Sequence, residues 1–452
     1  MGIPTAPIVS DAFVDVVKAA AEGKGLPHVR FSFLPQPIAF QSSEICREKI
    51  LGNDPVSDKP FLEQIYNHLT DPLTEEESFE GLLKAEPRPR LLEPDTPENL
   101  ERLFHENGWT DGLPIVLPTV ERVAAMLQGT SREPHDYVGQ MQASSPHEAW
   151  SYDVERVAVN AVMAGAKPEY FPVILAIAST GVTSLFTSTN SWARGVVVNG
   201  PIAKEIGMNS AIGAMGPFNE ANATIGRAYT LISKNLGNSR PGITYMGTQG
   251  NPFNYNNMCI AENEEATAEM WEPLHVTKGY KREESVVSIF NGLHLRQPSG
   301  IRGAYGSPEH LSNACKEIYS TGPYYNIGAT IMVDPLLVSD LKYEYGFDTK
   351  EEFIEYLIDN TYLYQWEFFN LYPSKWMQGL QGVEPYASWL ELHPMDNVPV
   401  PKYKILDEHG PYERPHFPPN GIDIVMVGGQ TNLWYYFGDM SYVTSASVDE
   451  WR

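Results

Sequence analysis

Residues 196–237, VVVNGPIAKEIGMNSAIGAMGPFNEANATIGRAYTLISKNLG, decide the fold class. The run Val196-Val-Val-Asn199 is short, β-branched and apolar, as in a buried strand, and Gly200-Pro201 turns it. From Gly207 to Gly216 the chain is rich in glycine and asparagine. Asn219 or Asn222 then offers a cap for a helix carrying Ile225, Tyr229 and Ile232, which Gly237 ends. Strand, flexible loop and capped helix predict an α/β protein. Backbone N–H groups and the helix dipole at such a turn suit an anion. Asn199, Asn209, Ser210, Asn222 and Arg227 are therefore candidate ligand-binding residues. The spacing fits neither the P-loop nor GxGxxG, so nucleotide binding is not supported. An ordinary glycine-rich crossover is the alternative.

The alternation extends both ways. Upstream, Val154–Ala164 and the stretch from Pro168 to about Ser179 predict two helices covered on most sides. Asn107-Gly-Trp-Thr-Asp111 predicts an ordered loop leading into a helix over Val120–Leu127. Trp109 and Asp111 are candidates to face a ligand there, with a structural turn as the alternative. Downstream, Ala329–Val333 and Ile422–Val427 predict strands, and Asp348-Thr-Lys-Glu351 a capping-box start for a helix through Ile358. Residues 360–420, rich in Tyr, Trp and Pro, predict a long irregular excursion serving as a lid or subunit contact. Residues 99–452 thus read as a multi-layer α/β main domain. An acidic, proline-rich linker at 81–98 separates it from residues 1–80. That N-terminal piece predicts a helix begun by Ser10 or Asp11, a strand in HVRFSFL stopped by Pro35 and Pro37, and a helix near Pro60–Leu69. One strand cannot form a sheet, so this piece is expected to be a partial α/β domain, completed by strands from the rest of the chain or from another chain.

Composition narrows the function classes. Across 452 residues, 57 acidic against 32 basic side chains give a formal charge of -25. Such a surface repels phosphate backbones and anionic lipid, which argues against nucleic acid and membranes as partners. The first residues show neither a basic stretch nor an apolar core of a signal peptide, and no apolar run approaches a membrane span. A soluble, cytoplasmic protein is expected. Cys46, Cys259 and Cys315 are far apart in sequence, which excludes a disulfide framework and a CxxC motif.

The densest chemical cluster is Cys259-Ile-Ala-Glu262-Asn263-Glu264-Glu265, followed by Trp271-Glu272-Pro273-Leu274-His275. A thiol needs neighbours that tune its pKa; histidine lowers it, carboxylates raise it. Cys259, His275, Glu262 and Glu264 are the candidate catalytic residues, and Cys259 is expected to be the most reactive thiol. Metal ligation by Glu262, Glu264 and His275 is a second possibility; a solvated acidic loop with a buried cysteine is the bland one. We assign no metal and identify no cofactor. Thr187-Ser-Thr-Asn190 and Arg194 are further candidates for a pocket wall. HExxH, GxSxG and Ser–His–Asp patterns are absent.

Four strings, NGWTDGLPIVLPTVERVAAML (107–127), AVNAVMAGAKPEYFPVILA (158–176), VVVNGPIAKEIGMNSAIGAMGPFNEANATIGRA (196–228) and CIAENEEATAEMWEPLHV (259–276), resemble a little-characterised bacterial group associated with UGSC family (seleno)proteins. That family is named for a Sec/Cys-Gly-Ser-Cys motif. The N-terminal strings MGIPTAPIVSDAF (1–13) and GLPHVRFSFLPQPIAF (25–40) resemble the latter half of the UGSC domain itself. No Cys-Gly-Ser-Cys occurs in this chain, and Ala166 stands where relatives tend to have cysteine. The resemblance implies the larger subunit of a heteromeric, thiol-dependent enzyme acting on a small molecule, with redox chemistry favoured. A small subunit carrying a Cys-Gly-Ser-Cys half-domain would be its partner. A cysteine/carboxylate acid–base lyase or hydratase, and a non-catalytic scaffold subunit, are the alternatives.

Overall fold

The computed structural model describes residues 4–38, 41–79, 81, 90–141, 150–186, 188–292, 295–297, 307–321, 329–360, 363–371, 373–384, 386–398, 402–407, 410–415, 421–431 and 435–452. At the N-terminus, β1 (Ile8–Ser10), α1 (Val14–Gly23) and β2 (Ser32–Leu34) form a β–α–β unit whose strands pair in parallel, Val9 opposite Phe33. α2 (Ser43–Leu51) and α3 (Phe61–Thr70) follow. The single expected strand is therefore corrected to two. Ile8–Ser10 is too short to show a period of its own and becomes a strand by pairing with β2. Ser10 does not cap α1; its hydroxyl donates to Gln36 Oε1 at 2.5 Å, while the Asp11 carboxylate accepts from the Gln36 N–H at 2.9 Å. Buried Asp54 ties the unit together by accepting from the N–H groups of Phe33 (2.6 Å), Val56 (2.8 Å) and Ser57 (3.0 Å) and from the Gln64 amide (2.9 Å). Burial pushes its pKa up, but these donors together outweigh burial and hold it below the usual value. Within the expected linker, residues 82–89 lie outside those described.

The main region opens with α4 (Pro97–Glu106) and α5 (Val120–Leu127), capped by the hydroxyls of Thr96 and Thr119. β3 (Tyr137–Gln140) and β4 (Ser151–Asp153) pair antiparallel. Asp153 caps α6 (Val154–Ala164), which Gly165 ends at φ 82°, where a side chain would be strained. α7 (Phe171–Ser179) is apolar and buried nearly all round. Next come β5 (Ala193–Asn199), α8 (Pro201–Glu205), α9 (Glu220–Asn235), β6 (Cys259–Ala261), α10 (Glu264–Thr267), α11 (Leu274–Thr277) and β7 (Val286–Gly292). β8 (Leu295–Arg296), α12 (Pro308–Thr321), β9 (Ala329–Val333), α13 (Pro335–Tyr343) and α14 (Lys350–Asn360) follow.

Among its described residues, the excursion at 360–420 contains regular elements. It holds β10 (Leu363–Tyr364), α15 (Gln365–Leu371), α16 (Pro373–Leu380), α17 (Tyr386–Leu390), β11 (Asn397–Val398) and a hairpin of β12 (Lys402–Asp407) with β13 (Gly410–Pro415). Phe368, Tyr386 and Trp389 are buried against one another, whereas Trp366 and Trp376 are exposed. The chain closes with β14 (Ile422–Met426), β15 (Tyr435–Gly438) and β16 (Ser441–Ser447).

Two four-stranded mixed sheets result, ordered β16-β7-β5-β6 and β14-β9-β15-β8. Side-chain alternation along each strand sorts the layers. Val196, Val198, Cys259, Ala261 and Ile289 face α6, α7 and α9 in one core. Their neighbours Val197, Ile260 and Phe290 turn the other way, against Met332 and Val425 of the second sheet. Ile331, Val333, Ile424 and Met426 then face α12, α13 and α14, where the excursion's Phe368 and Trp389 also pack. The order is helix, sheet, sheet, helix: a multi-layer α/β fold in which the inner strands of both sheets are buried on both faces, while the edge strands β16 and β8 are partly exposed. Each fully buried strand side chain such as Ile260 contributes about 1.5–3 kcal/mol. Among the described residues, none from 4–98 joins these three cores. The N-terminal unit buries its own Phe33, Leu34 and Phe61. No helix among the described residues is long and apolar enough to cross a membrane.

Candidate functional site

β5 and β6 run parallel, Val198 opposite Ala261, so Asn199 and Glu262 leave the sheet side by side at its carboxyl edge. In α/β sheets that edge is where ligands tend to bind. Glu262 is buried and fully bonded. Its carboxylate accepts from Asn199 Nδ2 (2.7 Å), the Leu274 N–H (2.7 Å) and the Met426 N–H (3.1 Å), and Lys350 Nζ stands 3.6 Å away. Lys350 is itself buried and donates to the Ile424 carbonyl at 3.0 Å. One carboxylate thus joins β5, α11, α14 and β14, which gives Glu262 a tying role across the two sheets. Beside it, Lys278 pairs with Asp423 at 2.5 Å; burial raises the Asp423 pKa, and Lys278 offsets part of that.

Glu264 is more accessible. Its Oε1 accepts from Asn199 Nδ2 (2.9 Å) and the Gly200 N–H (2.8 Å) and lies 3.9 Å from His275 Nδ1. His275 is fully buried, with Nε2 3.3 Å from the Arg282 carbonyl oxygen. That contact requires a proton on Nε2, which leaves Nδ1 as the nitrogen turned to Glu264, without a hydrogen-bond partner. Asn199 Oδ1 is buried and without a partner as well. At 3.9 Å the carboxylate and the imidazole are not hydrogen-bonded, so a proton passes between them only after closer approach or through one bridging water. A cavity of about 250 Å³, lined by Trp271, Glu272, Arg282 and Asp348 among others, shares Lys350 with this cluster. Among the described residues, no group of three or more His, Cys, Asp or Glu side chains is arranged to hold a metal ion.

Cys259 stands apart from these groups. Strand alternation turns its side chain with Ala261 toward α9, where the Gly226 position leaves just enough room. Glu262, Glu264 and Asn199 belong to the carboxyl edge and to the interior between the sheets. Burial pushes the Cys259 thiol up to about 12, and Cys315 likewise. At neutral pH both stay protonated.

The other sequence candidates bond mainly to one another. Arg227 Nε and Nη2 grip Asp111 at 2.8 and 2.9 Å, and Nη2 also donates to the Pro114 carbonyl. Trp109 packs edge-on against Phe104 and offers its carbonyl to Asn235. The NGWTD loop is thereby pinned to α9. Asn222 exchanges two hydrogen bonds with the Asn209 backbone, at 3.1 and 3.0 Å, and Asn209 Nδ2 donates to Ile212 O and Asn219 Oδ1. Asn219 is the N-cap residue of α9 yet caps nothing with its side chain; its amide donates to the Gly213 and Gly216 carbonyls. The asparagines therefore hold the glycine-rich loop in shape. Ser210 contributes its carbonyl, which receives the Gly428 N–H at 2.9 Å. Sequence reasoning missed Lys350, Lys278 and Asp423 as members of the buried cluster, because they lie in separate segments that only the two-sheet packing joins. Of the string 187–190, residue 187 lies outside those described.

No curated protein and no solved structure matches this chain. Residues 1–52 match the family model described as UGSC family. That span covers the β1–α1–β2–α2 unit, and through it the chain is associated with the UGSC family.

Proposed function

We propose that this chain is the larger subunit of a heteromeric, thiol-dependent enzyme acting on a small molecule. The reactive thiol, in this reading, sits on a small partner subunit with a Cys-Gly-Ser-Cys half-domain, and redox chemistry is the favoured form. The observation that carries the proposal is the N-terminal unit: its UGSC match spans a parallel sheet that has two strands among the described residues. All-parallel sheets are stable when longer and covered on both faces. Ile8, Leu26, Leu51, Leu62, Tyr66 and Leu73 remain exposed around this one. The burial of Cys259 removes the nucleophile expected of this chain and leaves partly exposed Cys46 as its accessible thiol, which favours a catalytic thiol on another chain. Native mass spectrometry of the assembly purified from its own cells tests the proposal. A second, smaller chain with a Cys-Gly-Ser-Cys motif is expected, and its removal should speed hydrogen exchange in residues 4–38. A monodisperse single chain with that segment already protected overturns it.

The Glu264–His275 pair favours a second reading, an acid–base lyase or hydratase working at the carboxyl edge of β5 and β6. Glu264→Gln would then abolish turnover by the assembly and leave the partner's thiol titration unchanged. Full turnover in that variant rejects this reading.

A further inference from the structure

The end of β5 away from Asn199 carries a charge unused by the site described above. Arg194 lies about 17 Å along the strand from Asn199 and is only 6% exposed. Its side chain shares a sheet face with Val196 and Val198, under α9. Nε donates to the Thr183 carbonyl at 2.9 Å. The Tyr229 hydroxyl, which gives its own proton to the Val182 carbonyl at 2.8 Å, accepts a second bond from the guanidinium. The Phe186 ring sits 4.0 Å from the guanidinium carbon. The guanidinium has more N–H donors than these acceptors take up. Among the described residues, no Asp or Glu is paired with it. A buried cation without a counter-charge is costly, and burial here draws the Arg194 pKa down to about 10.

Directly opposite Arg194 on β7 stands Asn291, its Cβ about 5 Å away and on the same face. The Asn291 Oδ1 atom is buried and has no hydrogen-bond partner. The segment above is tied down: the Ser184 N–H donates to Ser233 Oγ at 2.9 Å, and Asn254 Nδ2 to the Ser184 carbonyl at 3.2 Å. Arg194 is therefore held in place between Phe186 and Tyr229.

We infer that Arg194 and Asn291 form a binding site for a small 2-hydroxycarboxylate. The guanidinium fork takes the carboxylate, and the Asn291 carbonyl oxygen accepts from the neighbouring hydroxyl. One buried positive charge is balanced by one negative charge, so a monocarboxylate fits and a phosphate dianion leaves excess charge inside. A hydroxyl suits the second position better than an ammonium group, which the guanidinium repels. The inference stands apart from the partner assignment, since it uses residues of this chain alone.

Calorimetric titration of the full chain with glycolate, L-lactate, D-lactate, acetate and inorganic phosphate tests it. At least one hydroxy acid should bind saturably, with acetate roughly tenfold weaker for want of the hydroxyl bond. Arg194→Met should abolish that binding. Asn291→Asp sets a carboxylate opposite the guanidinium, so it should also abolish binding while keeping or raising the melting temperature; it decides the matter if Arg194→Met fails to fold. Absence of saturable binding by all three hydroxy acids overturns the inference. So does hydroxy-acid binding that survives Asn291→Asp, or phosphate binding as tight as theirs and lost in the same variants.

Discussion

Arg227 closes on both carboxylate oxygens of Asp111 across 116 positions of sequence, with donor–acceptor distances of 2.8 and 2.9 Å. The Asp111 side chain is 3% exposed and that of Arg227 is 17% exposed, so water screens this fork little. Removing one partner leaves a buried charge behind. Arg227→Ala should destabilise the protein by about 3–5 kcal/mol. The double variant Asp111→Asn/Arg227→Gln should lose much less. Chemical denaturation of the two variants measures the difference; equal losses would place the stabilisation elsewhere.

Gly226 lies inside α9 where a helix former would ordinarily be better. A Cβ there would come within 1.8 Å of the Asn256 carbonyl oxygen and 2.9 Å of Cys259 Cβ. Gly226→Ala should therefore cost more than the roughly 1–3 kcal/mol of ordinary overpacking, because one of the clashing atoms is backbone. A melting temperature at or above that of the wild type would contradict the close approach of α9 to the segment before β6.

Thiol reactivity should run opposite to the expectation drawn from the residues near Cys259. Cys46 is partly exposed, whereas Cys259 and Cys315 are buried with thiols pushed up to about 12. Iodoacetamide at neutral pH should modify Cys46 first, and Cys259 only at the rate of opening of the fold. Peptide mapping over time measures this order. Rapid native labelling of Cys259 would restore it as a candidate nucleophile.

The clamp between Arg30 and Glu77 makes the N-terminal unit acid-sensitive. The hydrogen bond from Arg30 lowers the Glu77 pKa from 4.5 to about 2, helped by the Thr74 N–H. The unfolded segment therefore binds more protons between those values, and stability falls as pH drops from about 4.5 to about 2. Above 4.5 the contribution is fully present. Glu77→Gln should flatten that part of the pH profile of hydrogen exchange in residues 30–34, measured in the intact chain. An unchanged profile would show that the clamp does not hold the segment.

The residues alone determined the parts of this protein that local chemistry dictates. Val196–Asn199, Ala329–Val333 and Ile422–Val427 read as buried strands because a sheet covered on both faces leaves a continuous apolar run. α5 was legible from its apolar periodicity, and α14 from the caps before it, although Thr349 and Glu352 form the capping box, one residue after the expected Asp348 and Glu351. α1 was legible too, though Ser10 takes no part in capping it. Tertiary structure decided what those strands face. Val197 and Val198 are chemically alike, and only the arrival of a second sheet sends one toward Met332 and the other toward α9. The acid-rich run at 262–265 reads as solvated, yet Glu262 is buried because Met426, 164 residues away, supplies one of its donors. Cys259 reads as a neighbour of those carboxylates, but a strand's period of two puts adjacent positions on opposite faces. Long-range pairing carries no local periodicity, so the sequence delivered the elements and the packing of the two sheets decided which side chains meet.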